Sequence, residues 1–354
     1  MTKTDVPASE WLLDDAVTRL REWGTDTVCE LGPSEITIGA DETCTLRLDD
    51  PAGRISRRHA ELVRSDARWL LRDCGSKNGL RIDGARQLEC QLRPGAEIGI
   101  GPRTLIAESD RSLVLRGFLS RMLGWHGDRI AAVDHALRSL RTAAAHRGSL
   151  VLCGDGDLVP IAHALHRVTL GTDRPFIVCD PRRRRGKATV RAAANFESGM
   201  EALAAAAGGS LCVRGYRLPK DFHRVIDALR TPAWRVQLIV CSPGAEDHSQ
   251  FFAVPITVPP LASRLDEIDR IVDEYAGDAL RDLDAPRELF TAADRTWVRT
   301  YSAKSLPDIE KGAIRLVSLH LSRNLSEAAE RLGMAPVSLS RWIGRRTLPN
   351  PLAP

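Results

Sequence analysis

The stretch richest in chemistry lies mid-chain. Leu150-Val151-Leu152-Cys153 reads as a buried strand and Gly154-Asp155-Gly156-Asp157 as a glycine loop. An amphipathic helix follows, with Leu158, Ile161, Leu165 and Val168 at helical spacing. Strand, loop and helix form the frame on which backbone N–H groups and a helix dipole hold phosphate. Phosphoryl chemistry on that frame needs a Lys for the β/γ-phosphates and a hydroxyl for Mg²⁺, in the pattern G-x-x-x-x-G-K-[ST]. Counted from Gly154, those two slots hold Pro160 and Ile161, and Asp155 and Asp157 oppose phosphate. The frame stands without its catalytic groups.

The elements around this loop resemble the ATPase domain of the NtrC-like, sigma-54-dependent activators, a class of AAA+ proteins. His163–Asp180 (HALHRVTLGTDRPFIVCD) follows that family from its phosphate loop into the next strand, with Leu165-His166, Pro175-Phe176 and Cys179-Asp180 in its marked places. Gly208–Gly215 stands at the magnesium-binding strand, whose acidic pair is here Arg214-Gly215. Val258–Ile268 resembles the family's LPPL segment. The loop that touches the sigma factor and the arginine-finger segment have no counterpart, and Ser305–Glu310 replaces the segment with the nucleotide-sensing Arg. The resemblance runs over roughly 118–346 and implies a pseudo-ATPase. That is a degenerate AAA+, P-loop-like α/β domain (118–262) with a helical lid (263–303), no catalytic residue, no cofactor and no metal.

Composition sets the outer bounds. A chain of 354 residues suffices for two or three domains. It is 43% hydrophobic and 27% charged, as expected of a soluble globular protein. No apolar run approaches the ~20 residues that span a bilayer. The N-terminus, MTKTDVPASE, lacks the basic-then-apolar order of a signal peptide, so a cytoplasmic protein is expected. Cys29, Cys44, Cys74, Cys90, Cys153, Cys179, Cys212 and Cys241 are scattered without a C-x-x-C pair. They read as reduced thiols rather than disulfides or zinc ligands. A net charge of +4 is too mild to imply nucleic acid by itself.

Upstream, residues 9–23 have a Ser N-cap, acidic residues early and basic ones late, which predicts a short helix in an N-terminal extension (1–24). From 25 to 108, short strands at 26–31, 35–39, 45–48, 59–64, 68–73, 80–82 and 104–107 alternate with turns and predict a β-sandwich. Within it, IGA…LRLDDPAGRISRRHAEL…WLLRDCGSKNGLRIDG resembles a forkhead-associated (FHA) domain. The resemblance implies a sandwich whose loops gather at one end to hold a phosphothreonine. Ser56 would supply the hydroxyl, Arg57 and Lys77 the cations, and Asn78 the amide that fixes the ligand backbone. Gly39, His59 and Gly79 would be structural, His59 bracing the loop and Gly79 taking a turn conformation costly for other residues.

Two positions depart from the family: Ala40 replaces its Arg and Leu80 its Thr. A charge-assisted Arg–phosphate contact contributes about 1.5–3 kcal/mol. Its loss predicts binding weaker by about tenfold to a hundredfold, unless Arg47, Arg54 or Arg57 substitutes. The alternative is a sandwich that binds an unphosphorylated protein or packs internally.

Residues 109–117 read as a linker and 118–148 as helical, with Ile130, Val133, Leu137 and Leu140 on one face. The run PRRRRGKATVR (181–191) would either meet an anion such as nucleic acid or form a solvated loop at the sheet's carboxyl edge. Residues 191–207 read as an Ala-rich helix. Strands at 211–213 and 236–241, with 221–229 helical between them, complete a βαβ series with 150–153 and 176–179. Lid helices are expected at 264–276 and 287–303.

Residues 324–346, NLSEAAERLGMAPVSLSRWIGRR, resemble a Fis-type helix-turn-helix, which implies double-stranded DNA as a partner for 304–346, followed by a tail (347–354). Asn324 with Glu327 predicts a capping box, Gly333 the turn, and Pro336 the first turn of the second helix. Ala328, Ala329, Leu332, Leu339 and Ile343 read as core. Ser338 and Arg341 would reach base edges, and Arg345 and Arg346 phosphates. The alternative is a purely structural helical hairpin. The preceding helix, about 307–322, carries Ile309, Ile314, Leu316, Val317 and Leu319, an apolar face that predicts pairing with a second copy, as a homodimer or higher oligomer.

The chain therefore reads as multidomain: a β-sandwich, a degenerate α/β domain with a helical lid, and an all-α helix-turn-helix. The expected function is a non-enzymatic bacterial transcription regulator whose FHA module senses a protein partner. A signalling adaptor in a Ser/Thr-kinase pathway, without DNA binding, is the alternative.

Overall fold

A computed structural model describes residues 16–32, 35–65, 68–146, 148–188, 193–231, 234–244, 251 and 255–345. The chain clusters into two compact units, Met1–Ser120 with Trp125–His146, and Arg121–Gly124 with Arg147–Pro354.

Among the described residues of the first unit, eleven short strands make two sheets. One sheet holds β1 (Arg19–Glu22), β2 (Val28–Glu30), β7 (Leu80–Ile82), β8 (Ala85–Gln87), β10 (Glu97–Ile100) and β11 (Arg103–Glu108), ordered β2-β1-β11-β10-β7-β8. The other holds β3 (Ile36–Gly39), β4 (Leu46–Arg47), β5 (Ala60–Ser65), β6 (Arg68–Asp73) and β9 (Glu89–Gln91), ordered β4-β3-β5-β6-β9. Alternation decides which side chains meet between the sheets. Ile36 and Ile38 of β3, Leu62 of β5 and Trp69 and Leu71 of β6 join Leu80, Ile82, Ile98 and Ile100 in one core. β7 and β8 are joined by Asp83 (φ 50) and Gly84 (φ 83), the two positive-φ residues that a tight hairpin turn demands.

Two helices follow, α1 (Asp110–Leu123) and α2 (Ile130–His146). α2 covers the outer face of β1. Arg21, fully buried, donates to Glu108 at 2.8 Å and to both oxygens of Asp134 on α2, at 2.5 and 3.1 Å. Arg138 of α2 pairs with Glu97 at 2.5 Å and lies 4.0 Å over the Trp23 ring.

The sequence expectations fail here in three places. Residues 19–22 are strand, not the end of a helix, because Leu20 faces the core while Arg21 faces α2. The expected linker at 109–117 is helical from Asp110, its start secured by Ser109 and Ser112 hydrogen-bonding each other's backbone amides. The helix expected over 118–148 is two helices, with Gly124 at φ 126 between them.

The second unit is built on a parallel sheet of β12 (Leu150–Cys153), β13 (Phe176–Cys179), β14 (Ala194–Phe196), β15 (Ser210–Arg214), β16 (Gln237–Ser242) and β17 (Ile256–Thr257), ordered β14-β13-β15-β16-β12-β17. Strands β12, β13, β15 and β16 are buried at every residue, as expected for a sheet with both faces covered. Val151, Leu211, Val213 and Val240 pack with Ala202 and Leu203 of α4 (Gly199–Ala205) and Val225 of α5 (Phe222–Leu229). α3 (Val159–Leu170) packs against β15 and β16. The Ala-rich helix expected at 191–207 is instead β14 and the short α4, which starts at the Ser198 N-cap.

Five helices complete the unit: α6 (Ile268–Asp282), α7 (Ala292–Tyr301), α8 (Leu306–His320), α9 (Leu325–Arg331) and α10 (Pro336–Gly344). α8 lies against α6, α7 and α9, and its Ile309, Ile314, Leu316, Val317 and Leu319 are buried within this single chain. The apolar face that predicted a dimer therefore has its partner inside the unit. Among the described residues, no helix is long and apolar enough to cross a membrane.

Candidate functional site

At one end of the sandwich, β3 runs into the loop that carries Ser56. A Cβ on Gly39 would sit 2.0 Å from the Arg57 carbonyl oxygen, so only glycine permits this approach. The two segments are stitched there: Ala40 N–H donates to Ser56 O and Asp41 N–H to Arg57 O, both at 3.1 Å. His59, fully buried, accepts from Ser56 N–H on Nδ1 and meets the Gly79 carbonyl with Nε2, both at 3.2 Å. The imidazole thus ties the Ser56 loop to the Asn78-Gly79 loop. Gly79 takes φ +74, and a Cβ there would meet the Arg86 guanidinium at 2.6 Å.

The expected ligand-facing groups converge on this frame. Ser56 Oγ accepts from Lys77 N–H at 3.0 Å, which joins the loops and leaves its own proton free to be donated outward. Asn78 donates Nδ2 to Arg54 O at 2.7 Å while remaining exposed. Its amide nitrogen therefore closes the loop, leaving its oxygen for a ligand. Asp50 accepts the Arg54 and Ile55 amides. Burial would raise its pKa, but these backbone bonds hold the carboxyl below the ordinary value.

The cations divide sharply. Arg47 is engaged with Glu42 at 3.6 Å and Asp49 at 3.2 Å, and Arg54 with Asp50 at 3.5 Å. Arg57 and Lys77 are exposed and make no side-chain hydrogen bond or close ion pair among the described residues, the Arg57 charge being felt only at a distance by Asp41. Ala40 packs against the core. Leu80 is fully buried in that core, so its departure from the family pattern does not reach the site.

The glycine loop after β12 is a different case. Arg214, 3% exposed at the end of β15, reaches across the carboxyl edge of the sheet. It grips Asp157 of the loop with Nη2 at 2.8 and 3.0 Å, and Asp180 after β13 with Nη1 at 2.9 Å. Burial opposes the Asp157 charge, but the Arg214 hydrogen bonds hold its pKa below the ordinary carboxylate value. Sequence reasoning registered Arg214 as a missing acid and Asp157 as a repulsive one, and missed that the two cancel. Opposite charges at two motif positions were the available signal. Beyond the loop, Val258 and Ser305 press on Gly154 and Gly156, and the crevice lined by Asp155, Pro259 and Ser305 holds about 10 Å³. That is room for one water at most.

At the C-terminus, α9 and α10 are joined at Gly333 (φ 60). Leu339, Trp342 and Ile343 are buried, while Ser338, Arg341 and Arg345 are exposed; Arg346 lies outside the described residues. The expected capping box is half formed. Asn324 accepts from Glu327 N–H at 2.9 Å, but the Glu327 carboxylate accepts from Arg323 N–H instead of closing back on Asn324.

Among curated proteins, none matches the chain. A solved FHA domain studied for phosphothreonine-dependent FHA domain interactions is 30% identical, over 25% of this chain and 93% of its own, with a TM-score of 0.24. EmbR of Mycobacterium tuberculosis, solved with a low affinity phosphopeptide, is 23% identical over 27% of this chain and 24% of its own, with a TM-score of 0.25. An FHA domain from Arabidopsis thaliana is 21% identical over 27% of this chain and 89% of its own, with a TM-score of 0.24. Residues 36–101 match the FHA domain family, and the loops braced by Gly39, Ser56 and His59 fall inside that match. The chain therefore belongs to the FHA-domain proteins, with residues 36–101 as its FHA domain.

Proposed function

We propose that the chain is a non-enzymatic regulator that reads a phosphothreonine-bearing protein through its FHA domain and double-stranded DNA through its C-terminal helix pair. The observation that carries the reading is the pair of uncommitted cations, Arg57 and Lys77, beside the braced Ser56 hydroxyl. A phosphate placed there would receive one hydroxyl donor and two charge-assisted contacts, which offsets part of what Ala40 removes. The exposed Ser338, Arg341 and Arg345 on α10 support base and phosphate contact in the major groove. The α/β domain acts as a scaffold, since Arg214 is consumed by Asp157 of the glycine loop and by Asp180, and Pro160 stands where a phosphate-binding Lys is required. The adaptor reading, without DNA, is favoured by one observation: the α8 face expected to form a dimer is buried within its own chain.

Titration of the full chain with a labelled peptide, phosphorylated or not on one Thr, tests the first half. Binding should depend on phosphorylation and be abolished by Ser56→Ala. Equal affinity for both peptides would remove the phosphate reading. Duplex binding at low salt tests the second half, with Arg341→Ala reducing discrimination between sites by about 1–3 kcal/mol. Peptide binding without any duplex binding would install the adaptor reading.

A further inference from the structure

The carboxyl edge of the α/β sheet carries more positive charge than its own fold consumes. After β13 the chain turns through Asp180–Lys187 before β14, and Arg182–Ala188 are all exposed. This turn is built, not loose. Asn195 of β14, 8% exposed, donates Nδ2 to the carbonyls of Asp180, Arg183 and Arg184 at 3.3, 2.9 and 3.3 Å. Its Oδ1 accepts the Asp180 amide at 3.1 Å, and its backbone pairs both ways with Gly186. One buried amide thus uses both its nitrogen and its oxygen to hold a turn whose side chains from Arg182 to Lys187 point outward.

Those side chains are under-compensated. Three guanidinium groups converge on the buried Asp180 carboxylate: Arg214 at 2.9 Å, and Arg183 and Arg217 at 3.6 Å each. Asp180 is already bound by Arg214, and Arg217 Nε is buried without an acceptor among the described residues. Arg185 reaches Glu201 at 3.6 Å and stacks 4.7 Å over Phe196. Arg182, Arg184 and Lys187 have no carboxylate partner among the described residues. Adjacent like charges repel one another, and here a rigid turn holds them together.

We propose that this arginine turn binds the phosphate backbone of nucleic acid. The cations lie on an open surface, which suits a row of phosphates better than a single enclosed anion. Guanidinium forks match phosphate oxygens bidentately. Such contacts position a nucleic acid without reading its sequence. The inference rests on the proposed DNA-binding function but uses residues that the α10 reading does not.

The test is duplex binding by the full chain as a function of salt, comparing wild type with Arg182→Ser/Arg184→Ser/Lys187→Ser, which spares Arg183, Arg185 and the Asn195 scaffold. The variant should melt like wild type, bind every duplex about tenfold or more weakly at low salt, and lower the salt slope by about 2–3. Discrimination between sites should not change. Unaltered affinity and slope would overturn the proposal, as would a polyglutamate peptide that competes as well as a polynucleotide, which would mark an acidic protein partner instead. If Arg341→Ala is without effect while the turn variant weakens binding, the α10 reading falls and this one stands. The opposite pattern sinks this one alone.

Discussion

At the loop end of the β-sandwich, Arg57 and Lys77 are exposed and unpaired among the described residues, whereas in the α/β domain Arg214 is buried between two carboxylates. Both regions carry a glycine-bearing loop whose sequence pattern points to phosphate. In the first, the glycine and the histidine brace the backbone, and the charged valences stay open. In the second, the crevice at the glycine loop holds only about 10 Å³, and Asp157, Arg214 and Asp180 satisfy one another. A phosphate frame is therefore judged less by its glycines than by whether its cations are already committed. Only the tertiary structure shows that commitment, because Asp157 and Arg214 are far apart in sequence.

The comparison breaks most readily at Arg214. Arg214→Ala strips Asp157 of its hydrogen-bonded cation and leaves Asp180 only the more distant Arg183 and Arg217 at 3.6 Å, and such a loss at a buried pair costs about 3–5 kcal/mol. Urea denaturation of the variant should show this as a lower midpoint, and Mg²⁺-ATP should still fail to bind, because Pro160 remains. A loss below about 1 kcal/mol, the range of exposed pairs, would mean that the cluster does not lock the edge.

The sandwich site gives the next largest effect. Arg57→Ala should weaken phosphothreonine-peptide binding by about tenfold, and Ala40→Arg should tighten it by about tenfold, each reflecting one charge-assisted contact. Isothermal titration checks both. If Ala40→Arg changes nothing, position 40 does not aim at phosphate and the open cations serve another ligand.

The smallest effect lies between α7 and α8, where His320 Nε2 meets Asp294 Oδ1 at 2.8 Å. The hydrogen bond to Asp294 raises the His320 pKa above 6.5. Burial would raise the Asp294 pKa, but bonds from His320 and Thr291 hold it below 3.8. The raised His contributes fully below pH 6.5 and loses its contribution as pH climbs through the folded pKa. The depressed Asp contributes above 3.8 and loses its contribution on acidification. Asp294 is buried but His320 is partly exposed and so solvent-screened, and melting should fall by about 1–2 °C from pH 6 to pH 8.5. His320→Gln should flatten that slope; an unchanged slope would assign the pH dependence elsewhere.

Much of the fold was legible because burial there follows a simple period. Alternation located β3, β5, β6 and β7, and continuous apolar runs located β12, β13 and β16. β1 was misread because Arg19-Leu20-Arg21-Glu22 carries its one apolar side chain among charges, and the burial of Arg21 depends on Asp134 of a helix far along the chain. β14 was lost inside an Ala-rich run, where composition favoured helix and the Asn195 side-chain bonds, invisible to propensity, favoured strand. At the candidate sites, the resemblance to an FHA domain located Ser56, His59 and Asn78. It could not separate Arg57, which makes no close ion pair among the described residues, from the engaged Arg47 and Arg54, since that distinction rests on neighbouring carboxylates.

The bond between Arg21 and Asp134 bears on how this module travels. A segment cut at the family boundaries would lose Arg21 itself, and one cut after Glu108 would strip Asp134 from a guanidinium that is wholly buried in the intact chain. The transplantable unit is therefore larger than the recognisable one: it extends to His146, and a chimera that carries the strands must carry the second helix with them.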